Sequence, residues 1–428
     1  MLETLKNAWR IPELRKKLLY IGFILIIFRL GASIPVPFID VGLLQQYFAG
    51  DAGNTMLGFI NIFTGGGLSN ATLFAMSITP YINAQIIIQL LTVAIPALER
   101  LAKEGGEEGR EKLQKWTRYL GVGLGLLQGY SYYVLLRSQQ LLTDTSFWAG
   151  FVIVVTFTAG TAMIMWLGEH ITKHGLGNGI SIILFAGIIS RGPEMFQTLW
   201  SLFTQGGKYY AIVIAMIIIS LALVVFIVFM YNAERRIPVQ YAKRVVGRKM
   251  YGGQSSHIPI KVAASGVMPL IFASSILQLP STIGLIANPK DGSFAKSFID
   301  AFASDSPLYI ILYFLLILGF SYFYAAIQFN PIEIANNLRK NGGYIPGFRP
   351  GRPTSDFITR SLAKITFMGA LYLAVVAILP LIVGAAAESL KSVAIGGTSV
   401  LIVIGVALET VKAIEAQMMM RHYKGFLD

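Results

Sequence analysis

Residues 209–231 read YYAIVIAMIIISLALVVFIVFMY. No charge interrupts this run, and about 20 apolar residues in a helix cross roughly 30 Å of hydrocarbon. Nine further stretches meet this rule or come close to it: 20–37, 73–95, 119–137, 148–168, 179–199, 262–286, 307–327, 365–384 and 396–414. The 428-residue chain is 54% hydrophobic and 13% charged, against about 25% charged in a soluble protein. Mean hydropathy is +0.62. The expected fold is all-α, a polytopic membrane protein of ten transmembrane helices.

Charge decides which side each loop faces. With the N-terminus inside, 28 of the 35 Lys and Arg residues lie in inner segments. Six lie in outer ones (Arg137, Arg191, Lys208, Lys290, Lys296 and Lys391), and Arg29 sits within the first span. This positive-inside bias predicts both termini in the cytoplasm. Ten spans divide into halves of five, 1–205 and 206–428. An odd number per half inverts one half against the other, the geometry of inverted repeats around a central site. Basic residues followed by an apolar run open the chain as in a signal peptide. The preceding polar stretch is long and nine spans follow, so a retained first span is the better reading. Residues 1–19 form either an amphipathic surface helix with Leu2, Leu5, Trp9 and Leu14 on its apolar side, or a plain positive flank.

Residues 56–70 read MLGFINIFTGGGLSN. Leu57, Phe59, Ile60, Ile62 and Phe63 make the segment apolar, it is too short to cross, and Gly65, Gly66 and Gly67 end any helix. It lies on the interface or folds back into a protein-lined cavity. Span two is polar: Ser77, Thr79, Pro80, Asn83, Gln85 and Gln89 interrupt Ile78, Ile82 and Ile86. Pro80 leaves a carbonyl without its partner, so this helix kinks there or faces a wet cavity. Gly175, Gly177 and Gly179 precede span five, and span seven carries Pro269, Gln278 and Pro280. Three interrupted helices favour a central aqueous path over interhelical hydrogen bonding alone. Gly121, Gly125 and Gly129 mark a close-packing face on span three.

Enzyme signatures are missing. There is no HExxH, no G-x-S-x-G and no P-loop. The absence of cysteine excludes disulfides and thiol chemistry. His170 and His174 beside Glu169 stand in the wrong order for a zinc site, and no cofactor is implied. Few ionisable groups lie in the spans, which weakens an ion-coupled transporter. Two inner loops, 232–261 and 328–364, are far longer than a turn needs and rich in Arg. They are docking surfaces, or they serve only to set topology.

At this point a resemblance covers nearly the whole chain. It rests on Phe63–Ser69 (FTGGGLS), Pro80–Thr92 (PYINAQIIIQLLT), Gly177–Ser181 (GNGIS), Arg235-Arg236-Ile237 with Tyr241–Arg244 (YAKR), Ile271–Ser275 (IFASS), Pro346–Gly351 (PGFRPG) and Gly397-Thr398-Ser399. The chain resembles the SecY/Sec61-alpha family of protein-conducting channels. The resemblance implies two pseudosymmetric halves around an hourglass pore, with an aliphatic ring of Ile78, Ile82, Ile180, Leu184, Ile271 and Ile402; Leu184 replaces a more typical isoleucine. It implies a plug at 57–70 and a lateral gate with Asn83, Gln89 and Gln278 along it. It further implies docking of a SecA motor ATPase or a ribosome on Arg235, Arg236, Lys243, Arg244, Arg248, Arg349 and Arg352. SecE and SecG-type small subunits would pack outside. Signal peptides and secretory or membrane protein precursors would be the substrates, in the bacterial cytoplasmic membrane, with membrane lipid at the gate. The alternative is a small-solute transporter, which needs a specific polar pocket at the midplane.

Overall fold

The computed structural model describes residues 2–50, 58, 61, 64–241, 244–246, 249–251, 255–263, 265–287, 298–299, 301–302, 306–386 and 396–424. Among these the chain is mostly helical. A helix occupies each of the ten apolar stretches. In chain order, α1 is Leu2–Arg10, α2 Pro12–Gly31, α3 Val41–Ala49, α4 Thr79–Ala94, α5 Pro96–Lys103, α6 Gly106–Ser138 and α7 Phe147–His174. There follow α8 Gly179–Ser190, α9 Gly192–Gln205, α10 Lys208–Asn232, α11 Met268–Ala287, α12 Pro307–Gln328, α13 Pro331–Lys340, α14 Arg352–Ala386 and α15 Gly396–Lys424. By length and apolarity, five described segments can cross a bilayer: Phe147–His174, Gly179–Thr204, Val213–Asn232, Pro307–Lys340 and Arg352–Ile382. The pair α4–α5, bent by 104°, is a sixth if taken as one broken span.

Two compact units divide the chain. One comprises Met1–Met216, Ser274–Ile310 and Pro380–Asp428; the other comprises Ile217–Ala273 and Ile311–Leu379. In the first, a core of Leu44, Phe48, Leu68, Tyr132, Leu136, Ile153 and Phe157 gathers α3, α6, α7 and the chain before α4. The glycine face of α6 packs as its spacing predicts. A Cβ on Gly121 would lie 3.5 Å from Tyr81 of α4, and one on Gly125 would lie 3.6 Å from Thr161 of α7.

Several boundaries differ from expectation. Span two begins at Thr79 and not at 73, because residues 64–78 are a run of turns and Ser77 has a φ of +50°. Pro80 stands in the first helical turn, where its missing N–H would have no partner anyway. The expected kink at Pro80 is therefore absent. The bend comes at Ile95, held extended by the following Pro96. Span five divides at Arg191, between α8 and α9. Three helices overrun their apolar stretches: α6 starts at Gly106, α14 starts at Arg352, and α15 runs on to Lys424.

The larger departure from all-α is a sheet in the second unit. The two long loops supply five strands, three of them (β1, β4 and β5) in this sheet: β1 is Glu234–Tyr241, β2 Arg244–Val246, β3 Lys249–Tyr251, β4 Ser255–Lys261 and β5 Gly343–Tyr344. β1 pairs antiparallel with β4, Ile237 opposite Ile258, and with β5, Gln240 opposite Tyr344. β2 and β3 form a separate hairpin. The cause is alternation. Ile237, Val239 and Tyr241 recur at period two, as do Ile258 and Ile260, so each strand presents one apolar face. Ile237, Val239 and Ile260 are buried with Leu338 of α13, Ile345, and Ile358 and Leu362 of α14. The two loops are thus one folded body with a core of its own.

Candidate functional site

Five of the six expected ring residues lie in the first unit. Ile78, Ile82, Leu184 and Ile402 are buried and Ile180 is half-buried. Ile78 caps α4 at its N-terminus. Ile180 opens α8, and the local sequence explains why a helix starts there. Gly177 takes a φ of +72°, and the Asn178 side chain accepts from the backbone N–H of Ile180 at 3.1 Å. The Thr172 hydroxyl accepts from the Gly179 N–H at 2.9 Å. A Cβ on Gly179 would fall 2.0 Å from the Gly168 carbonyl oxygen, so α8 sits directly on α7 at a place only glycine allows. Two of the expected ring residues also converge on Gly168: a Cβ on it would lie 3.4 Å from the Ile180 side chain and 3.5 Å from that of Ile78. The α15 helix, with Ile402, packs on α8. Ile271 belongs to the second unit. It is buried in α11, and its neighbour Phe272 meets Phe320 of α12 edge-on at 5.8 Å.

Of the expected plug, Leu57, Phe59, Ile60, Ile62 and Phe63 lie outside the described residues. The glycine turn that follows is held by a dense set of hydrogen bonds. The Thr64 hydroxyl donates to the Asn61 carbonyl (3.0 Å), and the Ser69 N–H donates to the Asn61 side-chain oxygen (2.9 Å). The buried Tyr132 hydroxyl donates to the Leu68 carbonyl at 2.7 Å. Gly65 and Gly66 have φ of +66° and +83°. A Cβ on Gly65 would sit 2.7 Å from the Gly187 carbonyl oxygen and from the Ser190 hydroxyl. The turn therefore rests on α8, one helical turn beyond Leu184.

Asn83 and Gln278 are buried and Gln89 is partly so. The Asn83 side-chain nitrogen has no hydrogen-bond partner among the described residues. The Gln89 carbonyl accepts from the Thr92 hydroxyl at 2.7 Å.

On the β-sheet body, Arg235, Arg236, Arg349 and Arg352 are exposed. Arg236 donates to Glu234 at 2.7 Å, and that bond holds the Glu234 carboxyl below its ordinary range. Arg349 sits in a turn between Gly347 (φ +86°) and Gly351 (φ +105°). The preceding Phe348 ring packs on Phe357 at 4.3 Å, and the Arg349 carbonyl accepts from the Thr354 hydroxyl at 2.8 Å. With its neighbour anchored inward and its carbonyl held, Arg349 is presented to solvent. Arg244 stands in β2; Lys243 and Arg248 lie outside the described residues.

One polar pairing is not announced by the sequence. Glu169, buried at the end of α7, accepts two bonds from Arg118 of α6, 2.7 Å to Nε and 2.6 Å to a terminal nitrogen. Fifty-one residues separate them, and no local spacing announces the pair. Among the described residues no cluster of three metal-ligating side chains includes His170 or His174. The His170 ring packs against that of Trp166, tilted by 40° with centroids 4.2 Å apart.

A family model described as SecY matches residues 72–411. The chain belongs to the SecY family. Over its full length it is 44% identical to the protein translocase subunit SecY of Streptomyces galbus and 43% identical to that of Mycobacterium tuberculosis, with all of each relative covered. Among solved structures, one titled as the structure of a protein conducting channel matches with a TM-score of 0.65 at 18% identity, covering 97% of both chains. Sec61 in the canine ribosome-channel complex matches at 0.62, also at 18% identity and 97% of both chains. The fold of this SecY-family chain is therefore that of the channels, and the family is one of multi-pass membrane proteins, not enzymes.

Proposed function

We infer that this chain is the channel subunit of a bacterial protein translocase, passing unfolded secretory polypeptides across the cytoplasmic membrane and releasing transmembrane segments sideways into lipid. What carries the reading is the meeting of Ile78 and Ile180 at Gly168, beside the glycine turn resting on α8, in a chain 44% identical from end to end to translocase subunits. An aliphatic constriction resists wetting and offers ions no ligand, yet it is soft and non-directional, so it fits an extended chain of any sequence. Ile78, Ile82, Ile180, Leu184, Ile271 and Ile402 form that constriction in our reading, and 57–70 is the plug. The ten helices cross the membrane as two inverted halves, 1–205 and 206–428, with both termini inside. Spans two and three open against seven and eight, with Asn83, Gln89 and Gln278 along the gate. A signal segment favours the open gate because only there does it gain lipid contact. The channel itself supplies no energy. A SecA ATPase or a ribosome docks on the β-sheet body at Arg235, Arg236, Lys243, Arg244, Arg248, Arg349 and Arg352, and SecE and SecG-type subunits pack outside.

The chain has no native cysteine to interfere with a crosslinking test. A single cysteine replaces Ile82 or Ile271, the complex is reconstituted, and a precursor carrying one cysteine is stalled midway. A disulfide that depends on ATP and on a signal sequence is expected. Its absence at every ring position, while the precursor still crosses, would place the path elsewhere.

A further inference from the structure

In the second unit, next to the β1–β4 pair, three segments line an open groove of about 520 Å³. Val262 lines it just after β4, Tyr322 from α12, and Ala363, Lys364, Phe367 and Met368 from α14. Backbone contact forms it in advance. A Cβ on Gly369 would lie 2.2 Å from the Val262 carbonyl oxygen, so the chain at Val262 lies against α14. The Tyr322 hydroxyl donates to the Ala363 carbonyl at 3.3 Å, which ties α12 to α14. The lining is apolar apart from Lys364, an exposed cation that pairs with no carboxylate among the described residues. Arg360, one turn before it, is exposed too.

The level of the groove follows from the apolar boundaries. Lys364 closes the inner loop 328–364, and Val262 opens the span 262–286. Lys364 thus lies at headgroup level, with Met368 one turn, about 6 Å, deeper. Large apolar side chains stay uncovered there: Phe367 is 44% and Met368 59% exposed. A cation at the cytoplasmic rim above an apolar cleft between spans is the arrangement that holds an anionic lipid. A transmembrane partner helix would call for a stripe of small residues, and Phe367, Met368 and Tyr322 are not small.

We propose that this groove binds one anionic phospholipid of the inner leaflet, its phosphate on Lys364 and an acyl chain over Phe367, Met368 and Tyr322. The proposal rests on the membrane orientation given above. It is tested on the whole complex in mixed phosphatidylglycerol and phosphatidylethanolamine vesicles, with a photoactivatable phosphatidylglycerol as probe. The expected label falls on 262 and on 363–368, and unlabelled phosphatidylglycerol competes it away where phosphatidylethanolamine does not. Lys364→Gln lowers labelling about fivefold, the worth of one Lys at an anionic surface, and Lys364→Arg restores it. Equal labelling by a phosphatidylethanolamine probe overturns the site, as does unchanged labelling in Lys364→Gln. So does a complex that still takes a precursor into the ring while 262 and 363–368 stay unlabelled. A complex that labels there but passes no precursor counts against the channel reading alone.

Discussion

At the residue scale, the first unit rests on a few positions that tolerate no alternative. Gly65 combines a φ of +66° with a 2.7 Å approach to α8. Gly65→Ala is expected to cost about 1–3 kcal/mol and to raise resting ion leak, read by thermal melting in detergent and by conductance in planar bilayers. Unchanged values in both would show that the turn does not hold the closed state. Ile402 is fully buried. Ile402→Asn is expected to place an amide in the proposed aliphatic constriction, lower the cost of wetting and let precursors with defective signal sequences pass. Export of such a precursor at the wild-type level would count against a role for Ile402 in the seal. Arg118→Met strands the Glu169 carboxylate. The expected loss is about 2–3 kcal/mol, below the 3–5 kcal/mol of a fully buried pair because Arg118 is 35% exposed. Equal melting temperatures for variant and parent would remove this pair from the stabilising set.

At the element scale, the proposed docking residues stand apart from the proposed constriction, on the β-sheet body. Its apolar strand faces hold it together, and Arg349 projects from a turn pinned by Phe348 and two glycines. Arg349→Glu is expected to impair motor-driven export more than membrane insertion. Phe348→Ala should reproduce that selectivity more weakly, since it loosens the turn and leaves the charge in place. Equal loss in both assays would argue against a motor-specific role. The alternation at Ile237, Val239 and Tyr241 is a strand signal in the sequence, set in a chain that otherwise reads as helix and loop. That β5 would come from the other loop, a hundred residues on, was not legible at all, because two residues at Gly343–Tyr344 carry no strand signal without a partner.

At the scale of the whole molecule, the charge distribution predicts sidedness. Single cysteines at Lys208 or Lys296 should react with a membrane-impermeant thiol reagent in intact cells. Cysteines at Arg248 or Arg349 should react only after the inner face is opened. Labelling of Arg248→Cys from outside would invert the topology and with it the docking assignment.

That apolar helices occupy these stretches, though not where each begins and ends, was legible in the sequence alone. Hydrocarbon imposes a length of about 20 apolar residues and forbids unsatisfied backbone, so each span announces itself locally. The glycine face of α6 and the Asn178 cap are local in the same way. Tertiary structure decided the rest. The start of α4 at Thr79 depends on turns packed under Tyr132, and the meeting of Ile78 with Ile180 depends on α7 offering a glycine. The pairing of Arg118 with Glu169 and the joining of two loops into one sheet join residues 51 and about 100 apart. Such pairings are chosen by packing and electrostatics between distant segments, and no periodicity within either segment encodes them.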